Sequence, residues 1–207
     1  MARPLGSYVS GAPDWLAARQ RRVGGSDIGA VMGHSPFVTR DNLLWIKAGL
    51  MPPQSETEAM WRGTVLEPAV ITYLLKRHQL EIDVERSATT WVADDDDRLL
   101  YNPDGITTTN VLLEAKTTSD RATERGWGRA GTDQIPRHYL EQVTWGMGLL
   151  GMDTCHLGVL AGGVNGRPSL AFASYTVRFA PDLFAELKSA AHQFLSDLDH
   201  LVEGITA

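Results

Sequence analysis

The sequence predicts a mixed α/β fold, a central β-sheet flanked by α-helices, and three observations predict it. Segments with helical and strand periodicity follow one another as helices, a strand meander, a helix, two strands and a helix, without regular βαβ alternation. Capping and turn residues stand where those segments begin and end. The composition is that of a globular chain, 207 residues with 43% hydrophobic and 21% charged side chains, which is the size of one domain or of one domain with a decoration.

Each element has its own signal. Pro13 suits a first helical turn and predicts a short helix over 13–20. Ser26 is expected to cap a brief helix ending at Gly33, and Thr39 to cap another through Trp45 to Gly49. A longer helix is expected from about Glu56 to His78, kinked at Pro68. Alternating, β-branched stretches then predict three strands at about 84–93, 98–108 and 111–117. A helix from Pro136 to Leu150 follows. Strands at 154–161 and 169–178 flank the turn-forming Gly162-Gly163-Val164-Asn165-Gly166. Pro181 opens an amphipathic helix to about Val202, with Leu183, Leu187, Phe194, Leu195, Leu198 and Leu201 on its apolar side. That side is free to pack on its own core or on a neighbour.

Composition also narrows the function. No apolar run approaches the ~20 residues of a membrane span, and Met1 to Gly6 lack the apolar stretch of a signal peptide, so a reducing cytoplasm is expected. A single cysteine, Cys155, excludes an internal disulfide and any cysteine-built zinc or iron–sulfur centre within one chain. The net charge of −6 argues mildly against non-specific phosphate binding. Acids gather at Asp94 to Asp97, however, and bases at Arg19, Arg21 and Arg22 and again at Arg121, Arg125 and Arg129. The acidic run reads as a solvated loop. The arginines at 121–129 read as a basic loop able to touch a phosphate backbone, or as a plain solvated loop. The six histidines show no ligand spacing.

The residues that carry chemistry centre on Val111-Leu112-Leu113-Glu114-Ala115-Lys116-Thr117, where alternation puts Leu112, Glu114 and Lys116 on one face. A carboxylate and an ammonium in an apolar strand are costly to bury unless paired or used. Asn102-Pro103-Asp104-Gly105 is good turn chemistry and leads into the strand expected to pair with 111–117, which would set Asp104 beside Glu114. Two carboxylates and a lysine at one point suit hydrolysis at Mg²⁺ or Mn²⁺. Glu67 shares a helix face with Met60, Gly63, Val70, Ile71 and Leu74, where a lone carboxylate asks for a metal or a core arginine. Gln142 shares a face with Ile135, Tyr139, Trp145 and Leu149 and is expected to point inward. Singly, these features also read as a sheet edge, a turn, a buried salt bridge and a core amide.

Taken together they resemble a known family. Asp104 with Glu114-Ala115-Lys116 resembles the PD-(D/E)xK nuclease signature. Arg62-Gly63-Thr64-Val65-Leu66-Glu67-Pro68, Tyr139-Leu140-Glu141-Gln142, Trp15 with Arg19, and Gly25-Ser26-Asp27-Ile28 are similar to motifs of its lambda exonuclease and YqaJ-type viral recombinase branch. The resemblance covers about residues 13–160. It implies a restriction-endonuclease-like core in a single domain over 1–207: N-terminal helices (1–55) contributing to a DNA-end site, a catalytic core over about 56–178, and a C-terminal helix over about 181–203.

The resemblance also implies roles. Glu67, Asp104, Glu114 and the backbone carbonyl of Ala115 would hold two Mg²⁺ or Mn²⁺ ions. Lys116 would assist the attacking water, and Gln142 would position that water or Lys116. Arg19 and Ser26 would hold a terminal 5′-phosphate, consistent with a forked guanidinium beside a helix start. The implied activity is 5′-to-3′ resection of double-stranded DNA ends in phage-type recombination, within a bacterial host cytoplasm. The implied partners are a single-strand annealing protein and further copies of the chain, with a trimeric ring as one arrangement. The alternatives are a structure- or sequence-selective endonuclease and a non-catalytic DNA-binding subunit.

Overall fold

The computed structural model describes residues 2–9, 11–119, 126–164 and 167–206. In chain order its elements are β1 (Ala2–Gly6), α1 (Pro13–Arg19), α2 (Gly25–Val31), α3 (Arg40–Lys47), α4 (Glu58–His78), α5 (Val84–Ser87), β2 (Thr90–Ala93), β3 (Leu100–Tyr101) and β4 (Gly105–Ile106). Then come β5 (Leu112–Thr118), α6 (Arg137–Leu150), β6 (Thr154–Val164), β7 (Arg167–Arg178) and α7 (Pro181–Thr206).

Two sheets carry these elements. The larger has the order β4-β5-β6-β7, and the smaller β1-β2-β3. In the larger sheet β4–β5 and β6–β7 are antiparallel, while β5–β6 is parallel, with Glu114 opposite Leu157 and Lys116 opposite Val159. A parallel pair needs a long crossover, and α6 supplies it. The buried Trp145 of α6 donates its Nε1–H to the Leu100 carbonyl at 3.0 Å, tying the crossover helix to the smaller sheet.

Helix α4 lies on the larger sheet, because Val70 and Leu74 are buried where Gly158 of β6 offers no side chain. A Cβ at Gly158 would come within 2.6 Å of Val70. One turn before Val70, Glu67 is thereby carried toward Glu114 and Lys116 of β5. Helix α7 buries Leu187, Phe194, Leu195 and Leu198, so its apolar side packs on this chain's own core. No described helix is long and apolar enough to cross a membrane.

The fold departs from the sequence-based expectations in instructive places. Residues 84–93 are not one strand. Asp83 caps the short helix α5, accepting the Arg86 N–H at 3.1 Å, and β2 begins only at Thr90. Residues 98–108 split into β3 and β4, because Asn102-Pro103-Asp104 intervenes and proline has no N–H for a ladder. Helix α2 is capped by Gly24, so Ser26 lies inside its first turn. Strand β1 was not anticipated. It is an edge strand paired with β2, a position that tolerates Pro4.

Candidate active site

Glu114 is the fixed point of the site. It is fully buried, and donors hold both its oxygens. The Tyr101 hydroxyl donates to Oε2 at 2.7 Å. Lys116 Nζ and Gln142 Nε2 donate to Oε1 at 2.5 and 2.6 Å. Gln142 therefore steadies Glu114, where the sequence suggested a role on water or on Lys116. The ammonium of Lys116 also lies 5.1 Å from the ring centre of Tyr139. Burial alone would depress Lys116, but Glu114 and Asp104 overcome it and hold the lysine above its usual range, firmly charged.

Asp104 stands beside this pair because β4 runs antiparallel to β5, with Gly105 opposite Leu113. Its Oδ2 accepts the Ala115 N–H at 2.8 Å. Burial, then the Glu114 charge, push its carboxyl well above the ordinary aspartate value, against the pull of Lys116. Glu67 approaches from α4 and is likewise raised by burial and then by Glu114. The expected apolar stripe around Glu67 is divided. Val70 and Leu74 are buried, but Met60 is 47% exposed and lines an open hollow with Gly63 and Glu67.

Tyr101 was missed in the sequence. Its ring fills a slot made by two glycines: a Cβ at Gly25 would come within 2.6 Å of it, and a Cβ at Gly146 within 2.4 Å. The slot aims the hydroxyl at Glu114. Burial and the neighbouring Glu114 raise its pKa well above the usual phenol value, so it serves as a hydrogen-bond donor. The signal available in the sequence was its place three residues before Asp104.

A second cluster forms where α1, α2 and α3 meet. Arg19 Nη2 donates to Ser26 Oγ at 2.7 Å, and its guanidinium lies 4.7 Å from the centre of a Trp15 ring. The structure thus brings Arg19 and Ser26 into contact. Beneath them is the buried Asp27, whose Oδ2 accepts from Gly24 N–H at 2.9 Å, Lys47 Nζ at 2.7 Å and Arg19 Nη2 at 3.3 Å. Burial raises Asp27, but Lys47 and Arg19 outweigh it and hold the carboxyl below its usual range. Burial holds Lys47 below the usual lysine range against the attraction of Asp27. Neither Asp27 nor Lys47 was singled out from the sequence.

The two clusters open into adjoining hollows. One is lined by Glu67, Lys116, Tyr139 and Gln142, the other by Trp15, Arg19, Asp104 and Gln142, and Ser26 and Glu67 belong to both. Their volumes, about 440 and 290 Å³, admit groups of nucleotide size. Among the described residues, no set of three or more His, Cys, Asp or Glu side chains stands preassembled around a metal position. Arg121 and Arg125 lie outside the described residues. Arg129 is exposed on the loop beside β7 and lines neither hollow. The acidic run is tied down by bases, Asp95 to Lys188 and Asp97 to Arg22, away from these hollows.

The fold, a mixed β-sheet flanked by α-helices, has counterparts among solved structures. It is similar to the crystal structure of an alkaline exonuclease from Laribacter hongkongensis, with a TM-score of 0.70 at 18% identity over 94% of this chain and 96% of that one. It is also similar to a phage-related exonuclease from Haemophilus somnus 129PT, with a TM-score of 0.62 at 10% identity over 89% of this chain and 96% of that one. The family model for the YqaJ-like viral recombinase domain matches residues 14–153, and the chain belongs to that family. The protein YqaJ of Bacillus subtilis (strain 168) is 30% identical over 154 residues, 72% of this chain; the chain spans 46% of that relative's length.

Proposed function

We propose that the protein is a divalent-metal-dependent deoxyribonuclease that resects double-stranded DNA ends, in keeping with its family and with the exonucleases its fold resembles. One observation carries the reading. Three carboxylates, Glu67, Asp104 and Glu114, face a single ammonium, Lys116, and two of the three are pushed upward by burial and by the third. Among the described residues such a cluster is short of positive charge, and oxygen donors of this kind fit Mg²⁺ or Mn²⁺.

Asp104, Glu114, Glu67 and the Ala115 carbonyl are the groups that would hold two ions. When bound, the metal would supply an acidified water and offset charge on the scissile phosphate. Tyr101 and Gln142 orient Glu114. Lys116 must share its hydrogen bonds between Glu114 and the reacting water or phosphate, where its charge counters the developing negative charge. Arg19 and Ser26 would seat a 5′-phosphate at the adjoining hollow and so set polarity and register. Released single strands would then serve an annealing protein.

The test is digestion of a linear duplex, labelled separately at each 5′ end, beside a covalently closed circle, with Mg²⁺ and with a chelator. Release of label from the ends only with Mg²⁺, and an intact circle, is expected. Cutting of the closed circle would convert the reading to an endonuclease. Cleavage of nothing with Mg²⁺, or with Mn²⁺ in its place, would leave a DNA-binding module.

A further inference from the structure

The Arg19 cluster contains more charge than a phosphate seat requires, and the excess has a direction. Asp27 is buried and takes hydrogen bonds from Lys47 at 2.7 Å and from Arg19 at 3.3 Å. The shorter bond belongs to the deeper cation: the Lys47 side chain is 7% exposed and that of Arg19 16%. Lys47 Nζ also donates to the Arg19 backbone carbonyl at 3.1 Å, fixing the end of α1 from which the guanidinium projects. The same guanidinium makes its short contact, 2.7 Å, to Ser26 on the open side, in the hollow shared with Asp104.

Charge bookkeeping then decides the outcome. Among the described residues the cluster holds two cations and one anion, a net positive charge that falls to the outer cation, Arg19. Without Lys47, a buried Asp27 would have Arg19 as its remaining counterion, and the guanidinium would be drawn inward and neutralised. We propose that Lys47 is a positioning residue: by satisfying Asp27 it leaves the Arg19 charge free for a terminal phosphate of DNA. The proposal rests on the reading of Arg19 and Ser26 as a phosphate seat.

The experiment measures the affinity of the full chain for two short duplexes that differ only in a 5′-phosphate, by fluorescence anisotropy with a chelator present. The affinity ratio is internal to each variant, so partial unfolding cancels. The wild type is expected to prefer the phosphorylated duplex, and Arg19→Ala to lose that preference. Lys47→Met should lose about 10- to 100-fold of it, the size of a hydrogen bond to a charged group. The double variant Asp27→Asn with Lys47→Met should regain it, because a neutral amide no longer captures Arg19. A Lys47→Met protein that keeps the preference overturns the proposal, as does a double variant no better than the single one, which would make Lys47 a packing residue. A wild type indifferent to the phosphate, with Arg19→Ala unchanged, removes the phosphate seat itself and the proposal with it.

Discussion

Two aspartates, the half-buried Asp104 and the buried Asp27, are displaced in opposite directions. Asp104 sits among Glu114, Glu67 and one lysine, and its carboxyl is pushed well up. Asp27 sits among Lys47, Arg19 and a backbone N–H, and its carboxyl is held down. Burial acts upward on both, so the sign is decided by the company each keeps. Among the described residues, the first cluster is short of a cation and the second has one to spare. Under the proposed function, a phosphodiester with a terminal phosphate, together with a divalent ion, would complete both at once.

Substitutions can break or sharpen this contrast. The largest effect is expected from Lys116→Ala, which removes the only ammonium among the three carboxylates. Turnover on linear duplex should fall by about a hundred- to a thousandfold, while duplex affinity in a gel-shift assay changes little. Full activity in that variant would take the lysine out of the mechanism. Next is Asp27→Asn, which leaves Lys47 buried without its partner. Breaking a buried pair costs about 3–5 kcal/mol, so the thermal midpoint should drop by roughly 10 °C in a chain of this size. The stability Asp27 contributes is present above the unfolded carboxylate range, near 4, and is lost as pH falls through its lower folded value.

Asp104→Asn should have the opposite sign. A folded pKa raised above the unfolded one means that the folded state binds more protons, so stability declines as pH rises from about 4 through the raised value. Removing that charge should raise the metal-free midpoint at neutral pH by about 2–4 °C. It should also abolish any rise in the midpoint on adding Mg²⁺. A lowered midpoint in calorimetry would refute the reading of Asp104 as a carboxylate short of a counter-charge.

Much of this was legible in the sequence, and the gaps have physical causes. The Glu114-x-Lys116 alternation and the Pro103-Asp104 turn were local features, and local rules placed them. Glu67 was legible as an anomaly on a helix face, but its environment depended on how α4 seats at Gly158, a contact some 90 residues away in the chain. Asp27 and Lys47 carried no local signal, and Tyr101 carried only its place three residues before Asp104. An acid in a first helical turn, a lysine in a last one and a tyrosine in a strand are each ordinary. Their significance comes from tertiary neighbours. The strand expected over 84–93 failed because β-branched content outweighed, in the reading, the capping aspartate at 83. The strand expected over 98–108 failed because the same Asn-Pro-Asp turn that builds the site also interrupts the ladder.

The slot that holds Tyr101 has a consequence for how this chain can vary. Gly25, Tyr101 and Gly146 come from three separate elements, yet they occupy one volume. A side chain at either glycine fits only if the residue at 101 shrinks, and a smaller residue there forfeits the hydroxyl on Glu114. The three positions therefore mutate as a single coupled unit, with effects that do not add. Any lineage or library that explores them one at a time meets a dead end at each step.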